Sequence, residues 1–250
     1  SIFWLVILIM IAGATYIYEK DLFSNGLEAI TVSTNGKKLP IYRVNTDKPM
    51  VALSFDAAWG NEDTQKILDI LKKYKINVTF FMTGGWVESY PDDVKAIKAA
   101  GHDLGNHSEH HKHMPQLNNS SICDELNSVT EKVEKLTNTK MCLFRPPYGD
   151  YNNALIEQAK NCGYYTIQWD VDSLDWKDYG VDDIISRICD SKHLDGGAII
   201  LCHNGAKYTA DALDNLLTQL QEKGYQLVPI SELIYREKYH LDVTGKQIAE

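Results

Sequence analysis

The chain of 250 residues is 44% hydrophobic and 24% charged, with a formal net charge of −9. That length and apolar content suit one domain of barrel size plus a short appendage, and exclude an intrinsically disordered chain. The acidic balance argues against a nucleic-acid partner, whose phosphates need clustered Lys and Arg, and against anionic lipid headgroups; neutral or basic substrates fit better.

Residues 1–18 carry no charge and are almost wholly apolar, which is near the lower limit of roughly 17–25 residues for a membrane-spanning helix. Ala12-Gly13-Ala14 offers the alternative of a signal-peptidase site behind a short apolar core. A buried core helix is disfavoured, because the segment has no polar face. Glu19, Lys20 and Asp21 follow without a positive excess, which suits the outer side of a membrane. Anchor and cleaved signal both remain open, and both imply export. Residues 19–48 read as a connector with a short β-hairpin around Asn35-Gly36, a dipeptide suited to a type I′ turn. Pro40 confines the second strand of that hairpin to an edge.

From Met50 onward, apolar runs alternate with helical patterns. Strands are predicted over 50–56, 77–83, 102–107, 141–147, 164–172, 197–204 and 225–230. Helices are predicted over 62–75, 92–101, 121–137, 153–163, 181–192 and 210–224. Gly101, Gly163 and Gly224 each end a helix directly before a strand, where a left-handed cap lets the chain reverse. Repeated strand–helix units with continuous apolar strands specify a parallel sheet covered by helices. Pattern alone fits a doubly wound sheet and a barrel equally. Residues 236–250 are left as a C-terminal tail. The five cysteines (Cys123, Cys142, Cys162, Cys189, Cys202) lack CxxC spacing, and their odd count makes a poor disulfide framework. They read as small buried hydrophobes.

Ionisable residues collect at the C-terminal ends of successive predicted strands: Asp56, His107, Arg145, Asp172 with Asp175, and His203. In α/β barrels that rim is where active sites are built. Five of the eight histidines lie within GHDLGNHSEHHKH. His107 and His111, four apart, would face the same way on a helical turn and bind one metal ion, with Ser108 capping that turn. His110 and His113 read as solvated. No Gly-x-Ser-x-Gly elbow is present, which sets aside a conventional serine hydrolase.

On these residues the chain resembles the polysaccharide deacetylase family (carbohydrate esterase family 4, with the NodB homology domain). Five motifs carry the resemblance: LSFDAAWG at 53–60, NHSEHH at 106–111, RPPYG at 145–149, DSLDW at 172–176 and ILCHN at 200–204. It spans roughly residues 49–235. It implies a distorted (β/α) barrel of about seven parallel strands, here preceded by the apolar N-terminal helix and the hairpin connector. It also implies hydrolysis of the N-acetyl amide of amino sugars in a peptidoglycan or chitin-like glycan. By resemblance, Asp56 is the general base, Arg145 holds it, and His107 and His111 are metal ligands. Tyr148 lends a backbone N–H to the oxyanion, Asp175 orients His203, and His203 is the general acid. Trp176 and Leu201 line the acetyl pocket. The implied cofactor is a divalent ion, zinc first, with cobalt and nickel also suited to imidazole. The implied partners are an N-acetylated polysaccharide and, through residues 1–18, a membrane. No nucleic acid and no protein partner is indicated. The implied location is extracytoplasmic, anchored or secreted, in a bacterial cell envelope.

The sequence departs from the family at Ala57, where a second aspartate normally supplies the third metal ligand. Three outcomes stand open. Two histidines and water hold the metal more weakly; Asp103, Glu109, His110 or His113 replaces the ligand; or the metal is lost, leaving a glycan-binding pseudoenzyme. Retention of Asp56, Arg145, Asp175 and His203 together favours catalysis. Trp59 is bulky enough to reshape the pocket edge. Asp170 reads as a strand-end group, Asp172 as orienting a loop or the substrate, Tyr164 and Tyr165 as packing, and Cys202 as core on the face opposite His203.

Overall fold

The structure is a computed structural model that describes residues 36–250. The apolar segment 1–18 and the first strand of the expected hairpin lie outside these residues. No helix among the described residues is long and apolar enough to cross a membrane.

The parallel sheet starts with β2 (Met50–Ala57), an apolar run buried on both faces. The short strand β1 (Arg43–Val44) precedes it. After β2, the chain alternates through α1 (Thr64–Tyr74), β3 (Thr79–Met82), α2 (Gly84–Ser89), α3 (Pro91–Ala99), β4 (Asp103–Asn106) and the long α4 (Asn119–Thr137). It continues through β5 (Leu143–Phe144), α5 (Asn153–Asn161), β6 (Tyr165–Thr166), β7 (Val171–Asp172), α6 (Val181–Cys189), β8 (Ile199–Asn204) and α7 (Thr209–Glu222). It ends with β9 (Gln226–Leu227), α8 (Ile230–Leu233), β10 (Tyr239–Leu241) and β11 (Lys246–Ala249). The spatial order is β6-β5-β4-β3-β2-β8-β7, with β9 beside the start of β2 and every pair parallel. The sheet curls into a distorted (β/α) barrel. Gly101, Gly163 and Gly224 have φ of 85°, 87° and 86°, the left-handed caps that the sequence requires.

Alternation along each strand sorts residues between two cores. Leu53, Phe55, Phe80, Ile200 and Cys202 face the helices, whereas Ala52, Phe81 and Ile199 face the barrel interior. Ser54, Asp56 and His203 share that inner parity. Ala57 has the outer parity and is fully buried in the helix-facing cluster.

Three features differ from the sequence reading. The predicted strand over 164–172 divides into β6 and β7, because Ile167 and Gln168 turn aside to pair with Ile41, which donates to Thr166 O and accepts from Gln168 N. The second half of the expected hairpin thus closes the barrel floor, with Val44 N bonded to Gly197 O. The residues read as a C-terminal tail form β10 and β11, and β11 pairs in parallel with β1. The helix α2 is also new. Thr83 caps it by accepting from Trp86 N, but its six residues are too short to show a helical period.

Candidate active site

The C-terminal ends of β2, β4, β7 and β8 and the loops after β5 and β7 surround a groove of about 490 Å³. Asp56, His107, His111, Tyr148, Trp176, Leu201 and His203 all line it, so seven of the nine site residues expected from sequence meet in one place. The other two, Arg145 and Asp175, lie directly behind it.

Arg145 is completely buried. Its guanidinium lies 4.2 Å from the Phe81 ring centre and 5.5 Å from that of Trp169. Nη1 donates to Asp56 Oδ1 at 2.8 Å and to Ser54 Oγ at 2.9 Å, while Nη2 donates to Gln168 O at 3.2 Å. Burial alone would push the Asp56 carboxyl up. The charge of Arg145, with its hydrogen bond, overcomes this and holds it below the ordinary aspartate value. Asp56 is therefore an anion at neutral pH, with Oδ2 turned to the groove, 3.6 Å from His107 Nε2.

Level with Asp56 on the neighbouring strand β8, His203 is held by Asp175 at two points. Oδ1 meets His203 Nδ1 at 2.7 Å, and Oδ2 accepts from His203 N at 2.7 Å. Thr209 Oγ1 adds a third bond, donating to Oδ2 at 2.6 Å. Burial disfavours the imidazolium, but the bond to Asp175 outweighs it and raises the His203 pKa above 6.5. The Trp59 indole stacks on the His203 ring, with centres 5.8 Å apart and planes inclined by 20°.

The two remaining imidazoles are neutral. Burial, foremost, lowers the pKa of His107, and burial followed by His107 lowers that of His111 to about 4. His107 Nδ1 lies 2.7 Å from Arg145 O. A carbonyl can only accept, so Nδ1 carries the proton and the Nε2 lone pair faces the groove. The rings of His107 and His111 are 4.9 Å apart. They are brought together by a loop and not by the expected helical turn, because Ser108 (φ 65°) and His111 (φ 53°) are left-handed. Ser108 still caps the loop, its Oγ accepting from His111 N.

None of the four candidates for a third ligand takes that place. Asp103 accepts from Ser231 N and Oγ and from Thr79 Oγ1. Glu109 pairs with Lys132, His110 with Glu125, and His113 with Asp150 while stacking on Tyr148. Among the described residues, no group of three or more His, Cys, Asp or Glu is arranged to hold a metal ion. Two neutral imidazoles, His107 with its Nε2 lone pair free, and the nearby Asp56 carboxylate fit a divalent ion held by two protein ligands, not the three-ligand site typical of catalytic zinc.

Residues 43–167 match the model of the polysaccharide deacetylase family. The chain belongs to this family. It is 36% identical over 208 residues to the peptidoglycan-N-acetylmuramic acid deacetylase PdaA of Bacillus subtilis, covering 80% of this chain and 77% of that protein. Among solved structures, wild-type BA3943, described as a carbohydrate esterase family 4 pseudoenzyme from Bacillus anthracis, superposes with a TM-score of 0.75 at 36% identity. That match covers 82% of this chain and 73% of BA3943. A BA3943 mutant described as having restored enzymatic activity matches at 37% identity and the same TM-score, covering 84% of this chain and 73% of its own.

Sequence reasoning missed Ser54, Gln168 and Trp169, which contact Arg145, and Thr209, which holds Asp175. Ser54 was within reach, because it lies two positions before Asp56 and so shares its face. Asp172 serves the loop, accepting from Leu174 N and Trp169 Nε1. Asp170 pairs with Arg43, Tyr164 is buried, and Cys202 points away from the groove.

Proposed function

We propose that the chain hydrolyses the N-acetyl amide of amino sugars in a peptidoglycan-type wall glycan, outside the cytoplasmic membrane. The observation that carries this reading is the placing, side by side on the neighbouring strands β2 and β8 at one groove, of a carboxylate locked by Arg145 and an imidazole locked by Asp175. An amide carbonyl is a poor electrophile and an amine a poor leaving group, so hydrolysis needs both a base and an acid. Asp56 takes the proton of the attacking water on Oδ2, the oxygen that Arg145 leaves free. His203, protonated through Asp175, donates from Nε2 to the amine nitrogen as the C–N bond breaks. The backbone N–H of Tyr148 is the donor assigned to the oxyanion, and Trp176 and Leu201 are assigned to the acetyl methyl.

His107 and His111, each through a free nitrogen, are the residues that would hold a divalent ion, zinc foremost. When bound, such an ion polarises the carbonyl oxygen and lowers the pKa of water. With a methyl at position 57 its affinity is expected to fall below that of a three-ligand site, so activity should require added metal. The apolar segment 1–18 would serve as anchor or export signal.

A second reading, glycan binding without hydrolysis, is favoured by Ala57 and the absence of a replacement ligand among the described residues. The likeness to the BA3943 pseudoenzyme points the same way. The exposed faces of Trp59, Tyr148 and Trp176 would serve sugar binding in either case. Acetate release from an N-acetylglucosamine oligomer and from peptidoglycan separates the two readings, measured after chelation and across a zinc titration. Release that rises with zinc supports the hydrolase. Oligomer binding with no release at any zinc concentration supports the second reading.

A further inference from the structure

The described cysteines are all free thiols, yet two that are 39 positions apart in sequence touch in space. Cys123 lies in the first half of α4, and Cys162 caps the C-terminal end of α5. Their Sγ atoms are 3.0 Å apart. Gln158, on the same face of α5, donates to Cys123 Sγ at 2.8 Å and approaches Cys162 Sγ at 4.0 Å. Both cysteines are half-buried, so a redox partner can reach them. Among the described residues, this is the one pair of cysteines whose sulfur atoms are recorded in contact.

We infer that Cys123 and Cys162 form a reversible disulfide that staples α4 to α5 behind the groove. The two helices already pack along each other, so closing the bond requires only about 1 Å of further approach towards the usual S–S length. The staple would act on elements that carry the site. On α4, Leu126 O accepts from Asn106 Nδ2, and Asn106 Oδ1 accepts from Ser108 N in the histidine loop. Glu125, also on α4, accepts from His110 N and pairs with its ring. At the head of α5, Asn152 donates to Pro115 O, just beyond the histidine loop.

The oxidant is a disulfide donor, either an oxidised thiol–disulfide oxidoreductase or a small disulfide such as oxidised glutathione. One cysteine attacks the donor, expels one donor thiol and forms a mixed disulfide. The second cysteine attacks that bond and expels the second donor thiol. The protein loses two electrons and two thiol protons, and the donor gains both pairs as two thiols. Burial, and after it the neighbouring Cys123, push the Cys162 thiol up to about 11, which keeps it protonated near neutral pH and makes uncatalysed exchange slow.

The test uses the full chain, purified reduced and then incubated with a glutathione redox buffer. Thiols accessible to alkylation after denaturation should fall from five to three. Peptide mapping should join Cys123 to Cys162, and the melting temperature should rise by about 5–10 °C and return on reduction. Cys123→Ser and Cys162→Ser should each abolish that rise, and Cys142→Ser should keep it. The inference is overturned if both thiols are alkylated separately, if each carries its own glutathione, or if the rise survives in Cys123→Ser. None of these readouts depends on the deacetylase reading, so the two proposals fail independently.

Discussion

Arg145 Nη1 and Asp56 Oδ1 meet at 2.8 Å in a site where the guanidinium has no solvent exposure at all and the carboxylate almost none. Such a pair is costly to break, because loss of one partner strands the other charge without water. Arg145→Met should therefore destabilise the fold by about 3–5 kcal/mol at neutral pH and remove acetate release. The pH dependence should reverse as well. In the parent, the depressed Asp56 value contributes stability that is present above the unfolded aspartate value and lost as pH falls through the folded one. In Arg145→Met, burial raises the same carboxyl, so the deficit should shrink as pH falls. Urea unfolding between neutral and acid pH checks both statements; an unchanged slope with pH would contradict the pairing.

The bond between Asp175 and His203 makes an opposite and equally testable demand. The raised His203 value contributes stability that is fully present below 6.5 and lost as pH rises through the folded value. The same titration should set the alkaline limb of the pH–rate profile if His203 is the acid. Asp175→Asn removes the raising influence and leaves burial to dominate, so the alkaline limb should move to lower pH. The rate at its optimum should fall by about 10²–10⁴-fold. A reduced rate with an unmoved limb would assign the limb to another group.

Much of this arrangement is legible in the sequence because it follows from strand period and strand ends. Asp56, His107 and His203 sit at predicted strand ends, and period-two alternation already places Ser54 with Asp56 and turns Cys202 away from His203. What the sequence hides is contact between distant segments. Nothing local in Ile41 signals that it will pair with Ile167 and split a predicted strand, or that Lys246 will meet Arg43. The partnership of Asp56 with Arg145 spans 89 positions, and its roles came from family resemblance; periodicity does not reveal them. The touching cysteines were hidden for the same reason, since their spacing resembles no motif.

Gly105 links the barrel interior to the site through one aromatic ring. It lies on the inner face of β4, and a Cβ there would stand 2.5 Å from Cδ1 of Phe81, the ring beneath the Arg145 guanidinium. Gly105→Ala should thus cost about 1–3 kcal/mol through overpacking and lower activity by tilting Arg145. Combining it with Phe81→Leu should relieve part of the clash. A double-mutant cycle by urea unfolding should then show a coupling of at least about 0.5 kcal/mol. Strict additivity would mean that the ring is not what Gly105 accommodates.

Position 57 offers the test of the proposal that the groove holds a metal ion. Its methyl is fully buried in the helix-facing core at the last residue of β2, level with Met82 and Asn204 on the neighbouring strands. An aspartate there has two opposed effects. Without metal, its carboxylate is a buried charge lacking a partner, so Ala57→Asp should melt below the parent. With metal, the carboxylate would join His107 and His111 as a third ligand if it turns to the groove, and zinc affinity should then rise by at least ~10–100-fold, the scale of effects seen even for groups outside the ligand set. The two effects are readable in one experiment. Ligand binding at a hundredfold excess over Kd stabilises by about 2.7 kcal/mol, so zinc should raise the melting temperature of the variant far more than that of the parent, and acetate release should rise with it. An equal zinc response in both proteins would mean that the carboxylate stays in the outer core, where the methyl now lies, and that the two histidines hold whatever metal the groove can take.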